Sequence, residues 1–246
     1  MTAHLGTFIR SGEVHDLPSE VSELSAILED YSNSKIEVTI ESEIPLSLIR
    51  NASLLQVRHR IAEQLTPDKN LIQSIEALDE AHEVVNLVSE RLTTWYSQIT
   101  GEPRTTIDEI LLKKDLPPQL TLLKDFYNSN KLLISALSEY LDKESPIVFP
   151  NLSAILGTQL SVRIVAAAGS LPKLARMPAS TIQLLGAEKA LFRHISEGSP
   201  PPKHGLLYQH PSVKKASKKE KGRVSRRLAA KVAIAAKVEH YGDKNG

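Results

Sequence analysis

The stretch TPDKNLIQSIEALDEAHEVVNLVSERLTTWYSQITGEP, residues 66–103, decides the fold class. Thr66-Pro67-Asp68 reads as a helix start, with proline at the first helical position, where a backbone N–H has no partner to lose. Behind it, Leu71, Ile75, Leu78, Val85, Val88, Leu92, Trp95 and Ile99 recur by threes and fours or their sums. That period draws an apolar stripe along one face of a long helix that packs against other helices. Gly101-Glu102-Pro103 ends it.

Working outward, Thr106 and Glu109 fit a capping box for a short helix, and Pro117-Pro118 interrupts before a helix carrying Leu120, Leu123, Tyr127, Ile134, Leu137 and Leu141. Pro146 and Pro150 punctuate the chain. Beyond them Leu152 to Gly157, then Leu160, Ile164 and Val165, lead to Ala166-Ala167-Ala168-Gly169, where the glycine is a natural helix cap. Ser199-Pro200-Pro201-Pro202 reads as a loop, and Arg223 to Val238 as a last helix with Leu228, Val232 and Ala235 inward. Upstream, Leu54, Val57 and Ile61 mark an amphipathic segment. Leu5 to Ile9 and Ile36 to Ile40 have strand character around a helix from about Pro18 to Asp30. The expected fold is mainly α: a helical bundle and a second all-helical part, with a small α/β remnant at the N-terminus. The expected divisions are residues 1–45, 46–145 and 146–246.

The chain has 246 residues and is 41% hydrophobic, enough to bury a core. With no cysteine, disulfides, thiol nucleophiles and Cys-ligated zinc are excluded. The opening MTAHLGTFIRSGEVHD has no long apolar core of a signal peptide, and no stretch approaches the roughly 18 apolar residues of a membrane span. A soluble, cytoplasmic protein with no membrane partner is expected. The net charge of +1 hides a division. Residues 1–150 hold 13 Lys/Arg against 24 Asp/Glu, a net −11, whereas residues 151–246 hold 17 against 5, a net +12. The basic part suits a polyanion.

Chemistry-bearing motifs are few. Gly-x-Gly-x-x-Gly, the P-loop pattern and Gly-x-Ser-x-Gly are all missing, so no catalytic site is expected. His204 and His210 lie near each other without carboxylates or thiols, a poor donor set, and neither metal nor cofactor is expected. The basic run stands out: ten Lys/Arg and one acidic residue between Lys203 and Lys231. On a helix starting near Gly222, Arg223, Arg227 and Lys231 are four apart and share a face, with Arg226 beside them. Such a row tracks a phosphate backbone, each neutralised phosphate releasing counterions. On charge alone, a merely solvated basic face remains the alternative. Gly186-Ala187-Glu188-Lys189 is a second candidate, where a tight turn presents amides and Lys189 to a phosphate; an ordinary glycine-initiated helix explains it equally.

Longer runs carry a resemblance. GSLPKLARMPASTIQLLGAEKALFRHI (Gly169 to Ile195), KHGLLYQHP (Lys203 to Pro211) and KGRVSRRLAAKVAIAAKVEHYGD (Lys221 to Asp243) resemble the Nop domain of box C/D ribonucleoprotein core proteins, with Tyr208-Gln209-His210-Pro211 closer to the archaeal branch. LIQSIEALDEAHEVVNLVSERLTTWY (Leu71 to Tyr96) and PNLSAILG (Pro150 to Gly157) resemble that family too. The resemblance implies an all-helical module for residues 146–246 that recognises a composite of kink-turn RNA, such as a box C/D guide RNA, and the ribosomal-type protein bound to it. It places Gly186, Ala187, Glu188 and Lys189 at the RNA stem and bound protein, and Gln209, Arg223, Arg226 and Arg227 along the RNA backbone, where the basic row adds Lys231. Archaeal members bind the methyltransferase fibrillarin through a full α/β domain; about 45 residues stand in that place here, and fibrillarin recruitment stays open. The family's long coiled coil, which pairs two Nop proteins, is reduced to Ser97 through about Leu120, too broken to pair copies by that route. The expected function is therefore a non-catalytic scaffold for such an RNP in an archaeal-type cytoplasm. The alternative is a protein-interaction scaffold of the same family with RNA binding lost or altered.

Overall fold

The computed structural model describes residues 6–10, 13–33, 35–40, 44–63, 65–102 and 105–242. Leu5 and Pro103, to which the sequence assigns a strand start and a helix stop, lie outside them. The chain divides into two compact units, Met1–Thr66 and Pro67–Gly246. The expected boundary at residue 45 falls at the entrance to a helix of the first unit, and that at residue 145 inside a helix of the second.

In the first unit, strands β1 (Gly6–Arg10), β2 (Glu13–Asp16) and β3 (Glu37–Ile40) form an antiparallel sheet in the order β2-β1-β3. The polar β2 carries no alternating apolar pattern and is invisible to periodicity; pairing with β1 creates it. Helices α1 (Val21–Ser32) and α2 (Leu46–Glu63) complete the unit around Phe8, Leu17, Leu24, Ile27, Ile36 and Ala52. On α2 the expected stripe of Leu54, Val57 and Ile61 exists but is exposed. The opposite face, with Leu48 and the small, fully buried Ala52, packs inward within this unit.

The second unit is all-helical among its described residues. Helices α3 (Pro67–Thr100) and α5 (Pro118–Val148) form a hairpin bridged by α4 (Ile107–Leu112). Their seam is Leu71, Ile75, Leu78, Val85 and Leu92 against Leu120, Tyr127, Ile134 and Leu141. Each fully buried leucine contributes about 1.5–3 kcal/mol. Near the end of α3 the stripe shifts from the expected Ile99, which is exposed, to Tyr96, which is buried. A straight helix gains about 20° per heptad over a strict seven-residue repeat, so the inward position moves to 96. Pro146 does not stop α5, which runs to Val148; a proline so close to the end breaks only a last-turn hydrogen bond.

The core continues into α6 (Pro150–Leu156), α7 (Thr158–Ala168), α8 (Leu171–Arg176), α9 (Ala179–Leu184), a 3₁₀ turn (Leu206–Gln209), α11 (Pro211–Lys214) and α12 (Lys221–Tyr241), whereas α10 (Glu188–Glu197), between α9 and the 3₁₀ turn, contributes nothing to it. Where α5, α6 and α7 converge, the hydroxyls of Ser145, Ser153 and Ser161 bond one another at 2.9–3.2 Å, satisfying polar groups in a dry place. No single helix among the described residues is long and apolar enough to cross a membrane.

Candidate nucleic-acid interface

Helix α12 is fixed by its inner face. Ser225, Leu228, Ala229, Val232, Ala235 and Ala236 are buried, and the alanines admit α6, α8 and α9 at close range. The Glu239 carboxylate accepts from the Asn151 and Leu152 N–H groups at 2.9 and 3.2 Å, capping the start of α6. With that face committed, Arg223, Arg226, Arg227 and Lys231 all point to solvent and are exposed. Arg223 pairs with Glu220 one turn back. Arg226, Arg227 and Lys231 form no ion pair among the described residues, so three of the four expected cations are free for a polyanion.

The second expected patch follows α9. Gly186 has φ +79°, a conformation that favours glycine, and its N–H donates to the Glu188 carboxylate at 2.7 Å. Glu188 thus closes the turn, while Lys189 is exposed and unpaired among the described residues. Segment 203–206 runs beside segment 183–186: Gly205 N–H donates to the Gln183 carbonyl (2.9 Å), Leu206 N–H to the Leu185 carbonyl (2.7 Å), and the Gln183 amide to the Lys203 carbonyl (2.7 Å). The 3₁₀ turn is therefore carried on the end of α9. There His204 stacks on Tyr208 with ring centroids 4.7 Å apart, and Lys221 lies 4.5 Å from the Tyr208 ring centroid. These contacts give His204 a structural partner, and His210 caps α11 by accepting from the Ser212 N–H. The two histidines that the sequence places together thus have separate packing roles. Gln209, the remaining expected residue, accepts from Arg163 Nη1 at 3.3 Å, and Arg163 is in turn clamped on Asp79. The sequence reading gives no part to Arg163, whose role exists only because α7 packs on α3.

Helix α10 is the residue set that sequence reading misses. It is amphipathic, yet it has no buried residue. Leu191, Phe192 and Ile195 share one side, and Phe192 and Ile195 are 70% and 74% exposed. Lys189 and Arg193 occupy another side of the same helix. The helix, rooted in the Gly186–Lys189 turn, thus presents an open apolar face beside a cationic one. Its signal was available as Leu-Phe-x-x-Ile at helical spacing, which reads equally as core.

Comparison with known proteins gives a consistent frame. The Nop family model, described as "snoRNA binding domain, fibrillarin", matches residues 111–246. An uncharacterised NOP5 family protein of Methanocaldococcus jannaschii is 34% identical, over 72% of this chain and 53% of its own length. Nucleolar protein 56 of Schizosaccharomyces pombe is 29% identical, over 72% of this chain and 45% of its own. The chain spans about half the length of these curated relatives. Nucleolar protein 58 of the same yeast is 47% identical over 44% of this chain. A crystal structure of a fibrillarin/Nop5p complex shares the fold, with a TM-score of 0.52 and 24% identity over 91% of this chain and 77% of that one.

Proposed function

The chain belongs to the Nop family, and from that membership we propose that it is a non-catalytic RNP scaffold of the box C/D type. Its ligand is a composite surface: kink-turn RNA together with the ribosomal-type protein already bound to it. The observation that carries this reading is α10, an amphipathic helix with an unburied apolar face, set on the same unit as the free cations of α12. An RNA-only binder has no use for exposed Phe192 and Ile195, and a protein-only binder has none for Arg226, Arg227 and Lys231. Phosphate contacts position the scaffold, and the shape of the kinked RNA and its protein supplies specificity. The decisive experiment is a mobility shift with kink-turn RNA in the presence and absence of its ribosomal-type protein. We expect a shift only with the protein present; equal binding to any duplex contradicts the reading.

A second reading, a protein-interaction scaffold with RNA binding lost, draws on α5. There Leu122, Phe126, Leu133, Tyr140 and Ile147 form an exposed row at coiled-coil spacing. Copurifying nucleic acid, read as a high 260/280 absorbance ratio, favours the first reading, and a clean protein spectrum the second. Fibrillarin is a candidate partner of the N-terminal unit, tested by co-purification of the two proteins.

A further inference from the structure

Between the start of α7 and the turn before α11, the surface of the second unit folds inward into a cleft of about 320 Å³, a size that accepts a small organic group. Its apolar lining comes from the buried Leu156 and Leu160 together with Pro211. Its polar lining is planar and held in place. The Arg163 guanidinium, with only 18% of its side chain exposed, is locked by its Nε donating to both Asp79 oxygens at 3.0–3.1 Å, and its Nη1 donates to Gln209. Because the Gln209 oxygen is used in accepting, its NH₂ group is left without a partner among the described residues. His210 Nδ1 accepts from the Ser212 N–H, which puts the ring proton on Nε2 as a donor. Lys214 stands at the rim, unpaired among the described residues and followed along the chain by the exposed Lys215, Lys218 and Lys219.

Buried leucines, a guanidinium and an imidazole in the lining, a free amide donor and an exposed lysine match the parts of one nucleotide: a ring to cover, an acceptor edge to bond and a phosphate to neutralise. We propose that this cleft receives the base of a single unstacked nucleotide of the bound RNA, with its acceptor edge on Gln209 and its phosphate at Lys214. The inference rests on the RNP-binding reading and deepens it by assigning a base, besides the backbone, to the site. The cleft is open at the rim and continues into a cationic segment, which suits a nucleotide within a strand better than a free one.

The test is a scan of abasic substitutions through the single-stranded positions of a kink-turn RNA assembled with its ribosomal-type protein, measured with the full chain. One position is expected to lose about tenfold in affinity when its base is removed. That sensitivity should vanish in Gln159→Trp, which fills the cleft, and in Gln209→Leu, which removes the donor without adding bulk; both variants should bind the intact RNA about as weakly as the wild type binds the abasic one. Equal tolerance of abasic sites everywhere, or a sensitive position that stays sensitive in both variants, overturns the cleft assignment while leaving RNP binding intact. Saturable binding of free nucleoside monophosphates, with no abasic-sensitive position, identifies a small-molecule site and also overturns it. Loss of every RNA complex in the wild type overturns the underlying reading itself.

Discussion

Gly205 matters because it has no side chain. A Cβ built there would lie 1.9 Å from the Leu185 carbonyl oxygen, a backbone atom that cannot swing aside. At Gly186 the nearest obstacle is the flexible Leu206 side chain at 2.5 Å, and the strain comes chiefly from the positive φ. Gly205→Ala is expected to cost about 1–3 kcal/mol in urea unfolding, as overpacking does. The same substitution should free the 3₁₀ turn from α9 and so weaken the Arg163–Gln209 contact. A variant that melts with the wild type would show that the two segments are not locked together. Gly186 is readable from sequence, because a glycine closing an apolar run announces a turn. The need at Gly205 arises from a segment twenty residues away, and no local pattern encodes it. Arg163 escaped for the same reason.

At the scale of elements, the hairpin of α3 and α5 is held at its crossover by a polar clasp. Tyr96 Oη donates to Glu102 at 2.9 Å and accepts from Lys113, whose ammonium also lies 3.2 Å from Glu102 and 4.6 Å from the Tyr96 ring centroid. The Tyr96 hydrogen bond, with help from Lys113, holds the Glu102 carboxyl below its ordinary value of 4.5. The Tyr96 contact first, then Glu102, raises Lys113 above its ordinary 10.5. A depressed carboxyl stabilises the fold above its unfolded value and stops doing so as pH falls through the folded one. A raised ammonium contributes fully below its unfolded value and is lost as pH climbs through the folded one. The melting-temperature gap between wild type and Glu102→Gln is therefore expected to be full at neutral pH, to begin shrinking as pH falls through the ordinary 4.5 and to close once it passes the lowered folded value. A gap that persists in acid rules out the charged clasp. The neighbouring capping box of Thr106 and Glu109 was legible because all its atoms lie within four residues. The clasp joins residues 96, 102 and 113, and only the folded crossover brings them together.

Helix α12 permits a sharper comparison between cations. Arg223 already faces Glu220, whereas Arg226 and Arg227 face only solvent. In binding to the RNA–protein complex, Arg226→Ala with Arg227→Ala is expected to reduce the slope of log affinity against log salt by about 0.7–0.9 per residue lost. Arg223→Ala should change it less, because that charge is partly compensated before RNA arrives. Equal slopes for all variants would mean that α12 does not meet the phosphates. The amphipathic pattern of α12 was readable from Leu228, Val232 and Ala235, and it fixed in advance which side the arginines occupy.

At the scale of the second unit, acidic and basic sequence are not kept apart by folding. Asp79 of the acidic hairpin grips Arg163 of the basic part, and the core of the second unit runs through both. Within this second unit the acidic hairpin and the basic helices share one body, and under the proposed function the cationic side would draw in a polyanion while the acidic hairpin repels it, orienting an approaching RNA before contact. Orientation alone does not tell one folded RNA from another. In the proposed reading that task falls to the partner protein, for which α10 offers an open apolar surface. Phe192→Ser removes an exposed side chain, so folding stability should stay within about 0.5 kcal/mol of wild type. Affinity for the preassembled RNA–protein complex should fall by about 1–2 kcal/mol, roughly five- to thirtyfold, with the salt slope unchanged. Combined with the Arg226 and Arg227 substitutions, the losses should add, since one side chain meets protein and the others meet phosphate. If Phe192→Ser instead flattens the salt dependence as the arginine variants do, both surfaces read the same ligand, and the two-component recognition proposed for this scaffold fails.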